Sequence, residues 1–126
     1  MKDKKASGDE SVAPLYDLTS FQLLVDGDSE KLKNYILVFL ESMGKSIEEL
    51  QESVKQIDSS QIEFSAHKLK GSASLLKATS LADIAFELEE MGKNAVVDGL
   101  NEKLEVLLNM YKQVEKGMNK ELSLLD

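Results

Sequence analysis

Ser60-Gln61-Ile62-Glu63-Phe64-Ser65-Ala66-His67-Lys68-Leu69-Lys70-Gly71-Ser72-Ala73-Ser74-Leu75-Leu76-Lys77 carries apolar residues at Ile62, Ala66, Leu69, Ala73 and Leu76, at intervals of four, three, four and three. That spacing is the buried seam of one helix in a bundle. At about 100° per residue the five positions fall within about 40° of a common direction, and His67 lies near 140° from Ile62. The only histidine of the chain therefore faces water. Lys70, Gly71 and Ser74 lie within about 60° of it, one or two turns on. A helix-interior glycine costs about 0.8 to 1 kcal/mol relative to alanine. The seam does not need one at Gly71, so the missing side chain is read as access to the imidazole for another molecule. The competing reading is a tolerated helix flaw beside an ordinary surface histidine. From Phe64 to Ala82 there is no carboxylate, while Lys68, Lys70 and Lys77 are positive in a chain of net charge -8. A local field of that sign suits an anionic ligand or an attached phosphoryl group.

Working outward, the same three-four spacing recurs. Leu32, Ile36, Phe39, Met43, Ile47, Leu50, Val54 and Ile57 form one long seam, with Tyr35 and Leu40 widening it and Gly44 as a candidate weak point. Asp26-Gly27-Asp28-Ser29 reads as the turn before it. Ser60-x-x-Glu63 has capping-box spacing at the start of the His67 helix, and Thr19 with Gln22 has it before a short helix over Ser20 to Val25. Thr79 or Ser80 is expected to cap a helix packed through Leu81, Ile84, Ala85, Leu88 and Met91, with Gly92-Lys93-Asn94 as its stop. A last helix from Val97 or Asp98 runs through Leu100, Leu104, Leu107, Tyr111, Val114 and Met118. Phe39, Met43, Phe86, Met91 and Tyr111 are read as core. The expected fold is all-α, an antiparallel up-down four-helix bundle with a short N-terminal capping helix. Residues 1–13 are expected to be a flexible leader ending at Pro14, residues 14–120 the bundle, and residues 121–126 a C-terminal tail.

Composition narrows the function. One domain accounts for 126 residues. No cysteine excludes disulfides and thiolate metal sites. One histidine and no H-E-x-x-H leave too few ligands for a metalloenzyme. The acidic face with Glu41, Glu48, Glu49 and Glu52 is read as solvated surface. A pI near 4.7, with lysine as the only basic residue type besides His67, argues against nucleic-acid binding. No signal peptide or apolar span is evident, so a cytoplasmic protein without membrane insertion is expected.

The run Ala66-His67-Lys68-Leu69-Lys70-Gly71-Ser72-Ala73-Ser74, followed by Ala78, Leu81 and Leu88-Glu89, resembles the histidine-containing phosphotransfer (HPt) domain of multistep phosphorelays. The A-H-x-L-K-G-S core is fairly specific, and the helical pattern extends the resemblance from about Leu15 to about Met118. The family favours glycine before the alanine of the following turn, where this chain has Lys77. From the residues alone either ring nitrogen of His67 could attack phosphorus; the resemblance implies Nε2. It further implies His67 as phosphoacceptor, Lys70 steadying the phosphoryl oxygens with Ser74 and Lys68 beside it, and Gly71 clearing the approach. Phe64 and Leu75 would form a docking patch. No carboxylate lies near His67 in sequence to hold Mg²⁺, which phosphoryl transfer uses. The expectation is therefore a monomeric carrier, not an enzyme, with no cofactor of its own. Its partners would be response-regulator receiver domains, including those of hybrid sensor histidine kinases, which bring the Mg²⁺. Met1 and the polar leader are expected of a stand-alone carrier. The alternative is a helical interaction module that is not phosphorylated.

Overall fold

The computed structural model describes residues 15–125. The leader over 1–13, Pro14 and Asp126 lie outside the described residues. Five helices follow in order: α1 (Thr19–Val25), α2 (Ser29–Lys55), α3 (Ser59–Leu75), α4 (Thr79–Lys93) and α5 (Leu100–Leu125). Helix α2 packs on α3 and α5, and α4 packs on the same two, so α2 to α5 form the four sides of an antiparallel bundle. Helix α1 rests on α2. Its Phe21 ring lies 5.1 Å from that of Phe39 and 5.7 Å from that of Tyr35. The Asp17 N–H donates to the Leu76 carbonyl at 2.8 Å, which ties the segment before α1 to the end of α3. The short helix thus caps the end of the bundle where α3 finishes.

The seams pack as their spacing requires. Met43, Leu50, Ala66, Leu69, Ala73, Leu76, Leu88, Leu107 and Met118 are fully buried. Three positions assigned to the buried seams are not in the core, and Tyr35 of α2 is the first, an exposed residue. Phe86 is half-exposed under the Lys70 ammonium, 5.0 Å from ring centre to Nζ. Ile57 is exposed because α2 ends at Lys55. Helix α2 passes Gly44 unbroken, where an added Cβ would meet only the Tyr111 hydroxyl at 3.5 Å.

The helix starts differ from the capping-box expectations. Asp58, not Ser60, caps α3 by accepting from the Gln61 N–H at 3.2 Å, and Asp28 caps α2 in the same way through Lys31. An ionised carboxylate at the helix N-terminus gains from the macrodipole as well as the hydrogen bond, so aspartate outcompetes the serines that follow it. Thr19 lies inside α1, its own N–H accepted by Asp17 Oδ1 at 2.8 Å. Neither Thr79 nor Ser80 caps α4; the position belongs to Ala78, which is fully buried and has no capping oxygen. Helix α5 begins at Leu100, after Gly99 turns the chain at φ 79°.

The helix ends share one device. After α2, α3 and α4 the chain closes through paired backbone bonds, Ile57 N–H to Val54 and Asp58 N–H to Ser53, with the same pairs at Lys77/Ala78 and Ala95/Val96. This is the Schellman arrangement, whose pivot residue adopts the left-handed conformation. Here the pivots are Ile57, Lys77 and Ala95, at φ 52°, 55° and 54°. Lys77 therefore keeps the turn that glycine would normally make. Gly92 is not the stop of α4 but a buried helical residue, and Ala95 makes the turn.

Helix α5 continues through Gly117 to Leu125. Tyr16 lies over Gly117, where a Cβ would come within 2.8 Å of its ring, and its hydroxyl donates to Glu121 Oε2 at 3.4 Å. Burial and the Glu121 charge push the Tyr16 phenol up from its ordinary pKa. Among the described residues no helix is long and apolar enough to cross a membrane.

Candidate functional site

His67 stands near the middle of α3, with Ala66 beneath it fully buried and its own side chain 64% exposed. The seam of α3 turns the imidazole outward, and α4 supplies what touches it. Glu89 Oε2 lies 2.9 Å from His67 Nδ1. Its other oxygen, Oε1, lies 2.8 Å from Lys70 Nζ, an ion pair without an aligned hydrogen bond. One carboxylate thus spans two side chains a turn apart on the facing helix. With Nδ1 occupied by Glu89, Nε2 is the ring nitrogen left to the outside.

Glu89 is only 14% exposed. Burial by itself pushes its carboxyl pKa up, but the contacts from Lys70 and His67 outweigh that and hold it below the usual glutamate range. It is therefore an anion at neutral pH. An anion against Nδ1 favours the tautomer that carries its proton there, which leaves a lone pair on Nε2.

The other sequence-assigned residues divide between two sides. Lys70 belongs to the site through Glu89 and Phe86. Lys68 turns the opposite way, 2.8 Å from Glu49 of α2 and 4.9 Å above the Phe64 ring. The uncompensated positive field expected along α3 is thus corrected, since α2 and α4 deliver carboxylates that α3 lacks beyond Glu63. Ser74 is exposed two turns beyond His67. At Gly71 an added Cβ would meet nothing within 4 Å, so the protein's own packing does not require a glycine there. Phe64 and Leu75 are 57% and 63% exposed. Eleven residues apart, they fall on one face of α3 with Gly71 between them.

Beside the ring lies an open hollow of about 400 Å³ bounded by Ser60, Glu63, Phe64, His67 and Glu89. Among the described residues no three histidine, aspartate or glutamate side chains converge as a metal site. The carboxylate that sequence reasoning missed is Glu89. Its signal was present in the Leu88-Glu89 pair, with Leu88 on the buried face of α4, but the partner is 22 residues away.

The outward imidazole on the second bundle helix, with the lysine and glycine that follow it, lies inside the stretch that the family comparison covers. The Hpt domain model matches residues 34–117. The chain belongs to the Hpt domain family. Among solved structures, the Hpt fold described here is similar to the crystal structure of histidine-containing phosphotransfer protein B from Pseudomonas aeruginosa PAO1, with a TM-score of 0.80. Identity is 21%, over 89% of this chain and 97% of that one. No curated protein matches this Hpt chain in the sequence comparison.

Proposed function

We propose that this Hpt domain carries a phosphoryl group on His67 Nε2, receiving it from the aspartyl phosphate of one receiver domain and yielding it to the aspartate of another. The observation that carries this reading is the carboxylate of Glu89 at Nδ1, which leaves the outward nitrogen nucleophilic. The Nε2 lone pair forms the P–N bond while the P–O bond to the aspartyl carboxylate breaks, and the aspartate leaves as its carboxylate. No proton has to move. The ring keeps its Nδ1 proton and becomes cationic as the bond forms, and Glu89 stabilises that developing charge. Lys70, which already neutralises Glu89, is one turn from the ring on the same face, within reach of phosphoryl oxygens. The reading assigns Mg²⁺ to the receiver, where it neutralises the transferred group. Gly71 leaves bare helix for the partner's approach, and Phe64 and Leu75 provide apolar contact on either side of it.

Transfer of radiolabelled phosphate from a panel of phosphorylated receivers, with Mg²⁺, to the native protein and to His67→Gln tests the reading. Label confined to the native protein, lost in acid and retained in alkali, is the expected result. A folded native protein that binds a receiver yet takes no label would replace the carrier with a non-phosphorylated interaction module.

A further inference from the structure

Glu89 spans His67 and Lys70 because α4 lies close against α3, and a backbone contact between them lies one turn back along α3 and one turn on along α4. Gly92 is buried in α4. A Cβ built on it would stand 2.6 Å from the Glu63 backbone nitrogen and 2.9 Å from the Ser59 carbonyl oxygen. Both atoms belong to the backbone of α3, which cannot swing aside as a side chain would. From this contact, four residues onward along α3 is His67 and three residues back along α4 is Glu89. Each step is about one turn of helix, and antiparallel helices keep such steps together. The backbone contact and the carboxylate contact are therefore neighbouring rungs of one helix pair.

We propose that Gly92 is a positioning residue for the phosphoacceptor: by letting the α4 backbone touch that of α3 at Glu63, it sets the interhelical distance at which Glu89 reaches His67 Nδ1 and Lys70 Nζ together. The geometry stands by itself; its consequence for phosphoryl transfer rests on the carrier reading above. Any side chain at position 92 must move a Cβ contact of 2.6 Å with the Glu63 backbone nitrogen out past 3.0 Å, and a relaxed contact lies beyond 3.4 Å. A separation of roughly half an ångström or more at that rung stretches the 2.9 Å contact of Glu89 to the limit of a hydrogen bond or past it. Alanine is the smallest such change. It adds no polar group and leaves His67, Lys70 and Glu89 in place.

The test compares the native protein with Gly92→Ala, Glu89→Ala and the double variant. Side-chain ¹⁵N NMR reads the tautomer of His67, and label transfer from a phosphorylated receiver reads the rate. Gly92→Ala is expected to be folded, to shift the tautomer balance away from the Nδ1–H form towards that of Glu89→Ala, and to accept label at about a tenth of the native rate. In the Glu89→Ala background the same change is expected to alter the rate by less than about twofold, because the contact it acts through is already gone. An unchanged tautomer in folded Gly92→Ala would overturn the proposal, as would a loss of rate that multiplies that of Glu89→Ala. If the variant unfolds, the comparison is made in an Ile57→Gly background, where the strained end of α2 is relieved. Unfolding there too would overturn the proposal, because the contact would then serve the whole bundle rather than the site. A native protein that accepts no label overturns the carrier reading instead, and the tautomer comparison still decides the role of Gly92.

Discussion

A carboxylate held against one nitrogen of an imidazole gives that ring a fixed orientation and a preferred tautomer, and both depend on the carboxylate's charge. Glu89 lies between His67 and Lys70, so its two oxygens report on both partners. Its depressed pKa makes it a source of stability with a definite pH window. A folded-state pKa below the unfolded value contributes stability that is complete above the unfolded pKa and is lost as pH falls through the folded one. The native protein is therefore expected to exceed Glu89→Gln in stability by about 1 kcal/mol near pH 6, a gap that closes as pH falls below about 4. Urea unfolding at several pH values measures it, and a gap that ignores pH would remove the ionised carboxylate from the account. At this scale His67, Lys70 and Gly71 were legible, since one helix and its seam fix their shared face. Glu89 was not. Periodicity tells which face of each helix is buried, but not how far one helix slides along another, and that displacement decides which carboxylate meets His67.

The elements show where the chain accepts strain. Ile57, Lys77 and Ala95 hold a conformation in which a Cβ crowds the following carbonyl, at about 1 to 2 kcal/mol each. Glycine removes that crowding but loses more freedom on folding, by about 0.5 to 1 kcal/mol. Ile57→Gly and Ala95→Gly are each expected to raise stability by about 1 kcal/mol, seen as a higher urea midpoint with unchanged slope. A lower midpoint would mean that the side chains gain more from packing than the turn loses. The four bundle helices were legible because their seams repeat over many turns and bury into one core. Their ends were less so. Asp58, Ser59 and Ser60 are each good capping residues, and the choice among them is set by small differences in charge and hydrogen bonding. Ala78 shows the opposite limit, where burial places a residue with no capping oxygen at a helix start.

At the scale of the whole molecule, two large apolar side chains of α3 remain uncovered on the helix face that carries His67. Phe64 and Leu75 contribute little to the core at their present exposure. Replacing both with alanine is expected to change stability by less than about 0.5 kcal/mol. The same pair is expected to weaken binding of a receiver by about 2 kcal/mol, or roughly thirtyfold, in calorimetric titration. Equal binding by the double variant would put the docking surface elsewhere. The chain has no tryptophan, and its three tyrosines are distributed unevenly. Tyr16 lies on α5 at Gly117, Tyr35 packs at a tilt against Phe21, and Tyr111 meets α2 at Gly44. The exposed rings flanking His67 are phenylalanines, Phe64 and Phe86. Ultraviolet emission from the protein is thus blind to the imidazole and to anything that settles on Phe64. A change in tyrosine emission when a receiver without tyrosine or tryptophan arrives would therefore signal movement carried across the bundle, with the clasp of Tyr16 on Gly117 as a sensor at its far side.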